Sequence, residues 1–205
     1  MARILVADDE RVVLFTLAEG LREAGFDVIE ARDGLQALAL CQSDAPDLAL
    51  LDIRMPGLDG LELARRLRDE TTVPVLFFSA YGDEDLVRRA VEIGALGYLI
   101  KPLLVSSIVP TVHTALARAK EISGLQGALE SNRAIATAVG MLMRAEGLDQ
   151  PAAFERLRQQ ARTERRKLED LARERVAGDN SQKPGEASRI SRPAKPGGGE
   201  KARPG

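Results

Sequence analysis

Four carboxylates arrive at the ends of two apolar runs. Ile4, Leu5, Val6 and Ala7 lead into Asp8, Asp9 and Glu10; Leu48, Ala49, Leu50 and Leu51 lead into Asp52, after which Met55, Pro56 and Gly57 break the chain. A short continuous apolar run bounded by turn residues predicts a strand buried on both faces. Such strands belong to parallel sheets covered by helices, where ligand chemistry gathers at the strands' carboxyl ends. Both acid groups are therefore expected at one spot. Clustered carboxylates raise the cost of ionising one another, and their oxygens suit a hard divalent cation, with Mg2+ the expected occupant. Standing alone, the Asp8-Asp9 pair reads equally well as a cap on the first helix.

The elements that must position these acids alternate between two periods. Val12, Leu14, Phe15, Leu17, Ala18, Leu21 and Ala24 form a helical stripe that stops at Gly25, a plausible C-terminal cap. A strand over 27–31, a helix over 34–41 and a turn at Ala45-Pro46-Asp47 lead to the central strand ending at Asp52. A helix over 60–67 follows, then Pro74 and a buried strand, Val75 to Phe78, ending at Ser79. A helix over 83–93 stops at Gly94, and a last strand over 97–100 delivers Lys101 and Pro102. Strands alternating with helices predict βαβ units and a doubly wound α/β parallel sheet of five strands.

The Asp8/Asp9 pair, Asp52 within LDIRMPGLDG, Ser79-Ala80 after one strand and Lys101-Pro102 after another occur in this order within residues 1–120. This stretch resembles the receiver domain of two-component response regulators. The resemblance implies a flavodoxin-like sheet of order 2-1-3-4-5 with Asp52 as the phosphoacceptor. Asp9 and the backbone carbonyl of Arg54 would help hold Mg2+ beside Asp52, with Asp8 binding it mainly through water. Ser79 would donate its hydroxyl to a phosphoryl oxygen, Lys101 would pair the phosphoryl charge, and Tyr98 would move inward when Ser79 turns toward the phosphate. The Lys101-Pro102 bond would be cis. The implied donor is a sensor histidine kinase, and the only chemistry expected is phosphotransfer with slow hydrolysis at Asp52, so the chain is read as a regulator and not an enzyme. Leu103 stands where such domains commonly carry phenylalanine.

Composition narrows the setting. Cys41 is the single cysteine, which excludes an intramolecular disulfide and a zinc cluster and fits a reducing compartment. No apolar run approaches a membrane span, and MARILVADDE opens as a strand with early acids, unlike a signal peptide, so a cytoplasmic location is expected. The single histidine, His113, has no nucleophile arranged around it and reads as a surface or packing residue. The net charge of −2 conceals an asymmetry: residues 1–120 hold 13 basic and 19 acidic side chains, residues 121–205 hold 16 and 12. A basic second half suits a polyanionic partner, although an ordinary solvated face has the same composition.

That second half is helical in pattern. Ser106 and Ser107 precede a helix with Pro110 expected in its first turn. Val112, Ala115, Ala119, Ile122, Leu125 and Leu129 keep an apolar seam over 107–131, readable as a short coiled-coil-like dimer contact or as a helix packing on its own domain. Three short amphipathic helices follow. The first starts at Ser131 and closes at Gly147, the second is capped by Asp149 with Pro151 in its first turn and carries Phe154, and the third is capped by Thr163. I-A-T-A-V-G-M-L-M, Ala153-Phe154, Leu157-Arg158, Ala161 and R-R-K-L-E-D-L-A resemble the ANTAR domain over residues 125–176. This implies an output that binds RNA hairpins in nascent transcripts and prevents termination, with a homodimer on activation. Its basic contact candidates are Arg133, Arg144, Arg158, Arg162, Arg165, Arg166 and Lys167; arginine both stacks on unpaired bases and pairs phosphates. Two positions depart from the pattern: Val139 replaces the lysine of an alanine-lysine-glycine signature, and Asn132 stands where arginine is frequent. A helical output that binds a partner protein is the alternative. A DNA-binding output fits less well, because the segment lacks a glycine-bearing turn between supporting and recognition helices. Residues 177–205, rich in Gly, Pro and Ser, are expected to be disordered.

Overall fold

The computed structural model describes residues 1–80, 82 and 84–180. Five parallel strands, β1 (Arg3–Ala7), β2 (Asp27–Ala31), β3 (Leu48–Asp52), β4 (Val75–Ser79) and β5 (Gly97–Ile100), form one sheet in the order β2-β1-β3-β4-β5. Every residue of β3 and β4 is buried, as continuous apolar runs require of central strands covered on both faces. The edge strand β5 is half-exposed.

Alternate side chains face opposite layers, the period of two that a pleated strand imposes. Ile4, Val6, Leu48, Leu50, Leu76 and Phe78 pack against α1 (Arg11–Glu23) and the early part of α5 (Val105–Glu146) through Leu14, Leu17, Leu21, Ile108 and Val112. Leu5, Ala7, Ala49, Leu51 and Phe77 pack against α2 (Gly34–Asp44), α3 (Gly60–Glu70) and α4 (Glu84–Ile93). Asp33 and Asp59 cap α2 and α3, accepting from the N–H groups of Gln36 and Glu62, each at 2.8 Å. Gly25 and Gly94 follow α1 and α4 with φ of 90° and 89°, as the helix stops predicted.

Several expectations are corrected. Val12 and Phe15 are exposed at 79% and 62%, so the buried stripe of α1 is narrower than its apolar spacing suggests. Helices α2 and α3 each run three residues further than predicted, to Asp44 and Glu70. Pro110 is the sixth residue of α5 and lies inside the helix. There is no new helix at Ser131: α5 continues unbroken for 42 residues through Gly124 and Gly127. Asp83 lies outside the described residues.

The described residues divide into two compact units, the second beginning at Gly127. In the second, the end of α5, α6 (Gln150–Thr163) and α7 (Leu168–Asn180) enclose Ala138, Val139, Leu142, Ala153, Leu157, Ala161, Leu171 and Ala172. Thr163 does not cap α7. Its hydroxyl donates to the Gln159 carbonyl within α6, and the turn is made by Arg165 at φ 52°, with Arg166 N–H returning to Ala161 O. Residues 177–180 continue α7, and 181–205 of the expected tail lie outside the described residues. Asp149 does cap α6, accepting from Ala152 N–H at 2.9 Å. Asp149→Ala is expected to cost about 1 kcal/mol, read as faster amide exchange along α6, while Asp149→Asn is nearly silent. No helix among the described residues is long and apolar enough to cross a membrane.

Candidate functional site

The sheet topology brings the ends of β1 and β3 side by side, and with them three acids. Carboxylate oxygens of Asp8, Asp9 and Asp52 all lie within 4.8 Å of one another. Asp8 is fully buried, Asp52 is buried and Asp9 is exposed. Asp8 does not cap α1: its Oδ1 accepts from Glu10 N–H at 2.8 Å, ahead of the helix. The cap reading of the Asp pair is therefore replaced by the cluster reading.

Lys101 closes the cluster from the end of β5. Its Nζ donates to Asp8 Oδ2 at 2.8 Å and stands 3.6 Å from Asp52 Oδ2 and 3.9 Å from Glu10 Oε1. The ammonium lies 5.0 Å from the centre of the Phe78 ring. Its backbone is fixed by an N–H donated to Ser79 O at 2.7 Å, and the Lys101-Pro102 bond is cis. Burial pushes the Asp52 carboxyl up to about 6 against the opposing pull of Lys101, and it raises Asp8 likewise. Burial also draws the Lys101 ammonium down, but the hydrogen bond to Asp8 and the charge of Asp52 outweigh it and leave the group above its ordinary value.

Ser79 is buried at the end of β4, and Tyr98, half-buried on β5 opposite Phe77, packs on the α2/α3/α4 layer. Arg54 is exposed two residues beyond Asp52. Leu103 is partly buried against the α1/α5 layer. Glu10 stands at the site with the acid group expected there, whereas Phe78 was legible only as core. His113 packs on Phe26 with ring centroids 5.0 Å apart, away from the acids, and the Cys41 thiol is buried and pushed up to about 12.

In the second unit the seven basic candidates divide. Arg158 pairs with Glu155 at 3.5 Å, Arg166 with Glu164 and Glu174, and Lys167 with Glu169 at 3.9 Å. Arg133, Arg144, Arg162 and Arg165 are exposed with no ion pair among the described residues. Arg173, which composition did not single out, donates to the buried Ser131 Oγ at 2.8 Å and ties α7 to α5. Phe154, expected in the helix core, is 40% exposed. Val139 is buried, so the position at which a lysine was expected belongs to the wall of the unit.

An acid cluster at adjacent strand ends of a 2-1-3-4-5 sheet, closed by a lysine from the last strand, defines a class of phosphoryl-accepting switch domains. The family model of the response regulator receiver domain matches residues 4–113, and that of the ANTAR domain matches 123–174. The transcriptional regulatory protein PdtaR of Mycobacterium tuberculosis is 34% identical over 178 residues, covering 83% of this chain and 87% of that protein. Sporulation initiation phosphotransferase F of Bacillus subtilis is 36% identical over 116 residues, covering 56% of this chain and 93% of the relative. Among solved structures, the signal receiver domain of the putative response regulator NarL from Mycobacterium tuberculosis superposes with a TM-score of 0.55 at 36% identity, over 57% of this chain and 96% of that one. The chain belongs to the two-component response regulators, with an N-terminal receiver domain and a C-terminal ANTAR domain. Its role is RNA-binding transcription antitermination.

Proposed function

We propose that Asp52 accepts a phosphoryl group from a sensor histidine kinase and that the modified chain grips RNA hairpins as a homodimer in the cytoplasm. The observation that carries this reading is Lys101 reaching the buried carboxylates of Asp8 and Asp52. The donor set fits Mg2+: three hard carboxylate oxygens converge, and Asp8, Asp9, Asp52 and the Arg54 carbonyl would hold the ion. Mg2+ held there would supply positive charge against the transferring phosphoryl group. The chain's residues do the rest by position. An Asp52 oxygen forms the new O–P bond while the donor's N–P bond breaks, its nitrogen keeping the electron pair. Lys101 pairs the incoming charge, and Ser79 donates its hydroxyl to a phosphoryl oxygen, drawing Tyr98 inward. Turnover beyond transfer is confined to slow hydrolysis of the acyl phosphate.

At the output, Arg133, Arg144, Arg162 and Arg165 are the leading RNA contacts, with Arg158, Arg166 and Lys167 available once their acidic partners are displaced. Ile122, Leu125 and Leu129 are exposed along α5 at spacings of three and four, the pattern of a dimer seam. The test is a gel shift of the full chain on hairpin RNA and duplex DNA at matched salt, with Mg2+, with and without acetyl phosphate, while its mass is recorded. One added phosphoryl group together with tighter hairpin binding is expected. A preference for duplex DNA, or no hairpin binding at low salt, overturns the reading.

A further inference from the structure

The ANTAR unit contains a groove of about 460 Å3 between the end of α5 and the start of α6, lined among others by Asn132, Val139, Gly140, Met143, Gln150 and Phe154. Its walls are mainly apolar. Ala153 and Leu157 on either side of Phe154 in sequence are wholly buried, yet Phe154 is 40% exposed, so its ring faces the groove at the edge of the core. Asn132 and Gln150 are exposed and bring two side-chain amides, each both donor and acceptor, to the lining. A Cβ placed on Gly140 would meet nothing within 4 Å, leaving a clear floor.

At about 100° per residue, Arg133 and Arg144 fall on the edge of α5 next to Gly140, and Arg158 and Arg162 follow Phe154 by one and two turns along α6. An apolar slot with one aromatic ring and two amides, with exposed arginines further along both helices, suits an unpaired base, which offers a π-face, a polar edge and flanking phosphates. An apolar helix of a protein partner would have to desolvate those arginines without replacing their water.

We infer that this groove takes one unpaired nucleobase of an RNA loop, stacked on Phe154, with its polar edge read by Asn132 and Gln150 and its phosphates held by those arginines. This rests on the RNA-binding reading and adds to it a base-specific pocket. Val139 gives the pocket an apolar wall where the ANTAR pattern carries a cation, so the base here is held by stacking and amide hydrogen bonds.

The full chain, with Mg2+ and acetyl phosphate, is used to select from hairpin RNAs of fixed stem and randomised loop, and the selected loop is then scanned with an abasic nucleotide at each position. At one position, loss of the base is expected to weaken wild-type binding about tenfold to a hundredfold. Phe154→Leu is expected to show a comparable initial loss and no further penalty at that position, with the other positions unchanged and Phe154→Tyr behaving as wild type. Because Phe154 is partly exposed, thermal unfolding of both variants confirms the fold. If Phe154→Leu leaves the abasic profile of the wild type intact, the pocket is overturned while hairpin binding stands. If the profile is intact and Phe154→Leu instead lowers the sedimenting mass, the groove is a contact between copies. If the wild type selects no hairpin, the RNA-binding reading fails and takes the pocket with it.

Discussion

Asp52→Asn is expected to abolish phosphoryl uptake and, in the same preparation, to stabilise the protein. The first effect follows from removing the acceptor oxygen's charge at the one acid buried at the end of β3. The second follows from its surroundings. The Asp52 carboxyl sits at about 6 in the folded chain against 3.8 for the ordinary group, because burial penalises the charged form. The folded state therefore binds the proton more tightly than the unfolded chain. Stability from this group is fully present below about 3.8, is lost as pH rises towards 6, and stays lost above it. Asparagine carries no such charge, so at pH 7.5 in EDTA the variant should be more stable by about 2 kcal/mol, with the advantage vanishing near pH 4. Urea midpoints at the two pH values, together with phosphoprotein mass in acetyl phosphate, check both effects. Equal midpoints at pH 7.5 would refute the charge argument, and a retained phosphoryl adduct would refute the acceptor.

Gly60→Ala is the second large effect. A Cβ at Gly60 would lie 2.1 Å from the Asp52 carbonyl oxygen and 3.0 Å from both the Asp52 carbonyl carbon and the Ile53 Cα, all backbone atoms that no rotamer change can move aside. Gly60 N–H also donates to Ile53 O at 3.0 Å, stapling the start of α3 to the end of β3. The methyl group must push these elements apart, at a cost of about 2–3 kcal/mol. A displacement near 1 Å of the Asp52 carboxylate relative to Lys101 is expected to slow phosphorylation about a hundredfold. The fall should appear in the maximal rate and not in the donor concentration at half-saturation. Wild-type unfolding and wild-type rate together would show that the contact relaxes freely.

The receiver fold was legible because its signals are local and strong. β3 and β4 are apolar runs buried on both faces, and their boundaries follow directly from the residues that cannot remain in water. The two acid groups were placed together by topology alone. Helix ends were less readable: the Asp33 and Asp59 caps appear only in the structure, and the last turns of both helices are polar and exposed, so apolar spacing ends before the helix does. Gly124 and Gly127 lower the intrinsic helix propensity of this stretch, yet α5 runs through both, their cost being spread along a long helix. The basic face divided only in three dimensions. Whether Arg166 is free depends on Glu174 a helix away, and the groove beside Phe154 depends on two helices meeting, neither of which a spacing can report.

Phe78 joins two matters that were described apart. Its ring lies under the Lys101 ammonium and also belongs to the layer that holds Ile108 and Val112 of α5, while its neighbour Phe77 faces the opposite layer beside Tyr98. The carboxyl end of β4 is thus a fulcrum between two levers. Under the proposed phosphorylation, a Lys101 drawn from Asp8 towards a phosphoryl group would pass its displacement to one side through Ser79 and Tyr98, and to the other through Phe78 into the root of α5.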